Sequence, residues 1–440
     1  MTVLARRIVP PAAVSRWAFL QAGVLSAAGL NLTDLVRLRA AAAASDRRPA
    51  TAVILFWLGG GPSQFETYDP KPAAPAEIRG TFSSIPTTVP GVRFCELLPL
   101  QARLMHRLAV VRSIAHTTAN HATGAEWLLT GYEVASGAST TPPAVYPSLG
   151  SVTARLRGAR QPGVVPYVLL NEMKLGYHGA AFLGQGCNPY LPRKAKDGMP
   201  AGPALADGLT VEQLDDRLAL LGSFDRLRAE VDTTGVMDGM DQCRRQAVEM
   251  LSRPVLRDAL DLSRESDQVR QRYGPHPLSQ FALLARRLVE AGVGFVTISH
   301  DVWDDHGELE RKIKGHAPPF DRAFATLVED LAERSLLDQV LVAAFGEFGR
   351  TPVINNLAGR DHWPQVMSAA LAGGGLRSGV VVGRSNARGE EPVECPLGPE
   401  DLLATIYHVL GIDHRQTLPD RLGRPIPILP KGEPIRALLE

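Results

Sequence analysis

An α/β fold, with a doubly wound and mostly parallel sheet and a helical insertion, is what this 440-residue sequence predicts. Short apolar runs rich in β-branched residues recur along the chain, amphipathic helical patterns separate them, and glycines and prolines punctuate them. The first run is TAVILFWL, Thr51–Leu58, stopped by GGGPS at Gly59–Ser63. It is apolar without alternation, as a strand covered on both faces must be. LAVVRSI (Leu108–Ile114), VPYVLL (Val165–Leu170), VGFVTIS (Val293–Ser299), QVLVAAF (Gln339–Phe345) and GVVVG (Gly379–Gly383) repeat the pattern. Between them, FALLARRLVEAG (Phe281–Gly292) and FDRAFATLVEDLAERSL (Phe320–Leu336) place apolar residues at helical spacing. Residues 209–273 are charged, helix-periodic and free of strand-like runs. They read as a helical insertion into one domain spanning 46–440. Asp69–Pro75 and Ser139–Pro147 read as loops.

Composition narrows the function. With 45% hydrophobic and 21% charged residues the chain is that of an ordinary globular protein. Its formal net charge is +1, yet residues 1–45 hold five arginines against one aspartate, which leaves the remainder at −3. A near-neutral body has no basic surplus to neutralise a phosphate backbone, so nucleic acid is not the expected partner. Cys95, Cys187, Cys243 and Cys395 are far apart and include no CxxC pair, so they define no disulfide framework. At the N-terminus, SRWAFLQAGVLSAAGLNL sets Arg16 before a short apolar run, and AAAAAS at Ala40–Ser45 offers a small-residue cleavage region. The layout predicts an export signal over 1–45, too short for a stable transmembrane anchor, and a periplasmic mature protein.

Ligands in an α/β sheet gather beyond the carboxyl ends of the strands. There the sequence sets HTTANHATG with His116 and His121, HDVWDDHGE with Asp301, Asp304, Asp305 and His306, and GEFGRTPVINNLAGRDHWP with Glu347, Arg350, Arg360, Asp361 and His362. Carboxylates and imidazoles converging from separate loops suit a divalent metal ion; zinc, manganese and calcium are not distinguished by these residue types. Such an ion polarises an ester oxygen or activates water. Asp304, His306, Glu347, His362 and His121 are the expected ligands. Arg350 and Arg360 are expected either to grip a phosphate, sulfate or carboxylate bidentately or to pair internally with Glu347 and Asp361. His106, His300, His316, His408 and His414 read as core or surface residues.

The order and wording of LGGGPSQFETYDPKP, HATGAEWLLTG, LLARRLVEAGVGFVTI, WDDHGE, GEFGRTPVINNLAGRDHWP and DLLATIYHVLGID resemble the domain-of-unknown-function 1501 family. Those motifs run from Leu58 to Asp413, and the N-terminus is similar to a twin-arginine signal, with Trp17 at the place of its second arginine. More distantly, the family resembles the alkaline phosphatase and sulfatase superfamily, which implies an alkaline phosphatase-like sheet, a small anionic ester as substrate and hydrolysis of a phosphate or sulfate ester. Aligning Leu129-Thr130-Gly131 with the end of the sulfatase nucleophile motif puts His121 in the nucleophile slot. By the same resemblance Asp304 with His306, Glu347 and His362 fall on metal positions, while Gly59 and Gly60 stand where an aspartate ligand is usual. A histidine serves as a ligand or as a covalent nucleophile, but not as a formylglycine. Thr118, Thr123 and Ser63 are the candidate hydroxyl nucleophiles. Two readings stay open: a metal-dependent ester hydrolase, and a binding protein that keeps the fold without turnover.

Overall fold

The computed structural model describes residues 50–440 apart from 134–144, 175–178, 196–197 and, Gln213 and Asp216 excepted, 205–245. The export stretch, the loop tract up to residue 144 and the first part of the expected helical insertion lie outside the described residues. The later part of that insertion holds helices at Val255–Leu260 and Asp267–Tyr273.

Seven strands form the sheet: β1 (Ala52–Trp57), β2 (Leu108–Ile114), β3 (Tyr167–Leu170), β4 (Phe295–Ser299), β5 (Val340–Phe345), β6 (Met367–Gly373) and β7 (Val380–Val382). Their order is β7-β2-β6-β5-β1-β4-β3. β1 pairs in parallel with β4 and β5, β3 with β4, and β7 with β2. Only β6 runs against its neighbours, β2 and β5. The sheet is therefore mostly parallel, in an α/β fold, and the six apolar runs each supply one of its strands.

β6 is the strand that the residue pattern does not announce. MSAALAG has no β-branched residue, and alanine is depleted in strands. It is a strand because both flanking strands offer it a complete ladder and its side chains are buried on both faces. The reversal matters for the site. The start of β6 shares an edge with the ends of the other strands, Met367 lying beside Ile114. Residues just before β6 therefore meet those just after β2, β4 and β5.

Helices cover both faces: α1 (His121–Thr130), α2 (Leu149–Arg157), α3 (Pro277–Glu290), α4 (Leu309–Glu333) and α5 (Pro399–Val409). Ile54 and Phe56 share one core with Leu283 and Leu284 of α3 and with Phe320 and Phe324 of α4. Val53, Leu55 and Trp57 share the other with Leu128 of α1, Val152 of α2 and Leu403 of α5. Alternate side chains of β1 thus enter opposite cores, which is why the run shows no polar alternation. α3 starts earlier than its apolar pattern, with Pro277 at its first position and the His276 side chain accepting from the Leu278 amide. α4 also starts earlier than expected. It runs through Pro318 and Pro319, where the sequence reads as a helix start at Phe320. Among the described residues no helix is long and apolar enough to cross a membrane.

Candidate metal centre

The site is assembled by three loops and one helix end. After β2 the chain turns at His116 and enters α1, whose first residue is His121. Asn120 caps that helix by accepting from the Thr123 amide at 3.3 Å. Gly131 ends it at φ 81, a left-handed conformation, and a Cβ there would strike Leu429. The loop after β4 carries Asp304 and His306, and the loop after β5 carries Glu347 and Arg350. A short antiparallel ladder sets Arg350 opposite His362, just before β6.

His121, Asp304, His306 and His362 offer four ligand atoms, all within 4.8 Å of one another. Nε2 of His306 lies 2.9 Å from Nε2 of His362. Oδ1 of Asp304 is 3.1 Å from the first and 3.2 Å from the second. Oδ2 of Asp304 is 3.3 Å from Nε2 of His121. The His121 and His362 rings meet edge to face with centroids 4.3 Å apart, and Phe348 packs on His362 at 4.4 Å. The group is open to solvent: the Asp304 side chain is 38% exposed and that of His306 42%.

The other sides of the three imidazoles are held as well. His121 Nδ1 meets Glu347 Oε1 at 2.6 Å, His306 Nδ1 meets Asp361 Oδ1 at 2.6 Å, and His362 Nδ1 meets the Ala119 carbonyl at 2.7 Å. Glu347 lies behind His121 rather than in the ligand group, fully buried, its Oε1 also accepting from the Gly60 amide at 2.9 Å. Burial pushes the Glu347 carboxyl up, while the His121 hydrogen bond opposes the shift. For His121, burial disfavours the charged ring, but hydrogen bonds to Asp304 and Glu347 outweigh it and raise its pKa to about 9. Burial likewise opposes the charge on Asp304, yet contacts with His121, His362 and Arg350 hold it far below the usual carboxylate range.

The glycine at position 60, just beyond β1, has a steric reason. Gly60 has φ +107, and a Cβ there would lie 2.5 Å from the Asp304 amide nitrogen. The loop bearing Asp304 packs directly on this backbone, and only glycine leaves room.

Neither arginine is free to grip an anion. Arg350 is 1% exposed and donates to the carbonyls of Gly60, Gly61, Trp303 and Arg360 and to Asp304 Oδ1 at 2.6 Å. It ties the loops after β1, β4 and β5 together. Its ionic partner is Asp304, not Glu347. Arg360 is not brought to the centre: it is fully buried, lies over the Phe65 ring, and bonds Glu66 and the carbonyls of Ile78, Thr351 and Pro352. Its partner is Glu66, not Asp361, because Asp361 faces His306. The pairing with Glu66 escapes the sequence, since the two residues are 294 positions apart.

The hydroxyl candidates are engaged too. Ser63 is buried and donates to Glu66, and the Thr118 and Thr123 hydroxyls bond each other at 2.7 Å. His116, which carried no assigned role, meets the Glu347 carbonyl at 2.6 Å. His316 is buried and pairs with Asp305 at 3.1 Å beneath the Asp304 loop.

Residues 50–439 match the family model described as "Protein of unknown function (DUF1501)". The chain belongs to the DUF1501 family. No curated protein matches it. Solved structures similar to this DUF1501 chain include alkaline phosphatase from the Antarctic bacterium TAB5, at 12% identity and TM-score 0.40, covering 83% of this chain and 99% of that one. The PsFucS1 sulfatase from Pseudoalteromonas sp. is similar at 12% identity and TM-score 0.38, covering 86% and 70% respectively. The lipoteichoic acid synthase LtaP from Listeria monocytogenes is similar at 9% identity and TM-score 0.39, covering 83% and 73%.

Proposed function

We propose that this chain is an exported, metal-dependent hydrolase of phosphate or sulfate esters, with His121, Asp304, His306 and His362 holding one divalent ion. The observation that carries the reading is the convergence of three imidazole nitrogens and a carboxylate, drawn from two loops and the start of α1, within 4.8 Å. Imidazoles whose Nδ1 atoms are each fixed by a hydrogen bond, beside a carboxylate oriented by Arg350, have the arrangement of a supported metal site. A divalent ion there supplies Lewis-acid activation of an ester and of water.

The chain's own residues set the rest of the chemistry. His121 has Nδ1 against Glu347 and Nε2 in the ligand group, so neither ring nitrogen is free to attack a substrate. With Ser63 buried and the two threonine hydroxyls bonded to each other, water is the attacking group. α1 begins at the centre, and the positive end of a helix favours an anionic ester. Asp304 is kept ionised and oriented by Arg350. Export is supported by the short apolar stretch behind Arg16 and the alanine tract at Ala40–Ser45. N-terminal sequencing of the exported protein tests it: mature chains are expected to lack Met1, and intact Met1 on cytoplasmic protein contradicts export.

One observation favours the second reading, a binding protein without turnover: Arg350 and Arg360 are both consumed by internal partners, so neither offers its guanidinium to the anion. Aryl phosphate mono- and diesters and aryl sulfates, offered to metal-replete protein, separate the two. Turnover that His306→Ala abolishes supports the hydrolase. Stoichiometric metal with no turnover of any ester leaves the binding protein.

A further inference from the structure

We infer that this centre selects a first-row transition ion, of the zinc, cobalt or iron kind, over calcium and magnesium, and that Glu347, Asp361 and the Ala119 carbonyl are the positioning groups that make it selective. The inference deepens the reading above and rests on the same four ligand residues.

Each imidazole shows its Nδ1 to an atom that only accepts. For His362 that atom is the Ala119 carbonyl oxygen at 2.7 Å. For His306 it is a carboxylate oxygen of Asp361 at 2.6 Å, and that carboxylate also accepts from the Asn355 amide group at 3.2 Å. For His121 it is Oε1 of Glu347 at 2.6 Å, which already takes the Gly60 amide at 2.9 Å. A proton on Glu347 would sit on Oε2, so Oε1 remains an acceptor in either state of the carboxyl. Each ring therefore holds Nδ1 on an acceptor and turns Nε2 to the centre, where a metal ion would take the place of a proton on that nitrogen.

The consequence is a donor set with a definite chemical preference. Nε2 of His306 and His362 stand 2.9 Å apart, and both face Asp304 Oδ1. Three imidazole nitrogens and one carboxylate suit zinc, cobalt or iron, whereas calcium requires about six to eight oxygens and magnesium an oxygen octahedron. Arg350 sharpens the preference, since its donation to Asp304 Oδ1 at 2.6 Å drains charge from the only anionic ligand. A hard cation, held by charge alone, loses more from that than an ion bound by imidazole.

Metal-free protein titrated with cobalt(II), followed by visible absorption, tests the inference without any substrate. The expected result is one ion per chain with the intense spectrum of low-coordinate cobalt, displaced by zinc and unmoved by about a hundredfold excess of calcium or magnesium. Glu347→Gln and Asp361→Asn are each expected to weaken cobalt binding by about 10–100-fold. Glu347 is fully buried and its variant can fail to fold; the Asp361 side chain is 54% exposed, so Asp361→Asn keeps the test open, with circular dichroism as the control for folding. Displacement of cobalt by calcium, a weak octahedral spectrum, or wild-type affinity in folded Asp361→Asn overturns the inference. Selective binding without ester turnover contradicts the hydrolase reading alone. Turnover sustained by calcium contradicts this inference alone.

Discussion

Replacing Arg350 by methionine removes the clamp that joins three loops at the centre. The guanidinium is 1% exposed and holds four backbone carbonyls together with the Asp304 carboxylate. Each stranded carbonyl would cost about 1–3 kcal/mol if it stayed dry. Water entering beside Asp304, whose side chain is 38% exposed, satisfies some of them, so the terms do not add in full. With the four carbonyls partly rehydrated and the half-exposed Asp304 left unpaired, about 4 kcal/mol is the loss expected here. Arg350→Lys should recover less than half of it, because an ammonium cannot span acceptors on three loops. Urea unfolding of metal-free protein gives the stability, and a metal titration of the folded variant gives the affinity. Both should fall, since Asp304 loses its anchor. A variant within about 1 kcal/mol of wild type, binding metal normally, would refute the clamp.

Arg360→Met is the contrasting case: it should cost about 3–5 kcal/mol by unpairing Glu66, yet leave metal affinity per folded molecule unchanged. Weakened metal binding there would show that Arg360 acts on the centre after all. Gly60→Ala should destabilise by at least about 2 kcal/mol and weaken metal binding, since its Cβ would displace the Asp304 backbone; a wild-type melt with full affinity would contradict that packing. Acid should destabilise the fold through two buried histidines: burial pushes His116 down to about 4 and His300 down to about 3. Such a ring is protonated first in the unfolded chain, so its stability is whole above pH 6.5 and is lost as the pH falls toward those values. His116 alone accounts for about 3 kcal/mol by pH 4, and His116→Gln should flatten that part of the stability curve. An unchanged acid limb would remove His116 from the account.

The parallel strands are legible in the sequence because a strand buried on both faces has to be a short, unbroken apolar run. β1, β4 and β5 meet that condition. β6 escapes because its burial comes from the strands beside it, not from its own residue types, and a run such as ALA reads as helix or loop. The site follows the same division. His121, Asp304, His306 and His362 stand out as ligand-type residues just beyond strand ends, and the fold brings them together. Which charged neighbours serve them does not show in the sequence. Glu347 and Asp361 are both carboxylates beside candidate ligands, and only the loop geometry sets one behind His121 and the other behind His306. The arginines illustrate the limit most sharply. Planar donors near a metal motif suggest an anion grip, whereas the long-range partners Asp304 and Glu66 take up both. Asp361 carries a signal that residue type alone underuses: a carboxylate next to one histidine ligand can orient another.

Everything proposed about chemistry depends on the ion. Elemental analysis of protein purified without chelator and reconstituted with zinc, manganese or calcium, beside His306→Ala and His362→Ala, measures it directly. One tightly held divalent ion per chain, lost in both variants, is the expected result. Absence of stoichiometric metal from folded wild-type protein after reconstitution would contradict the metal centre and the hydrolase with it.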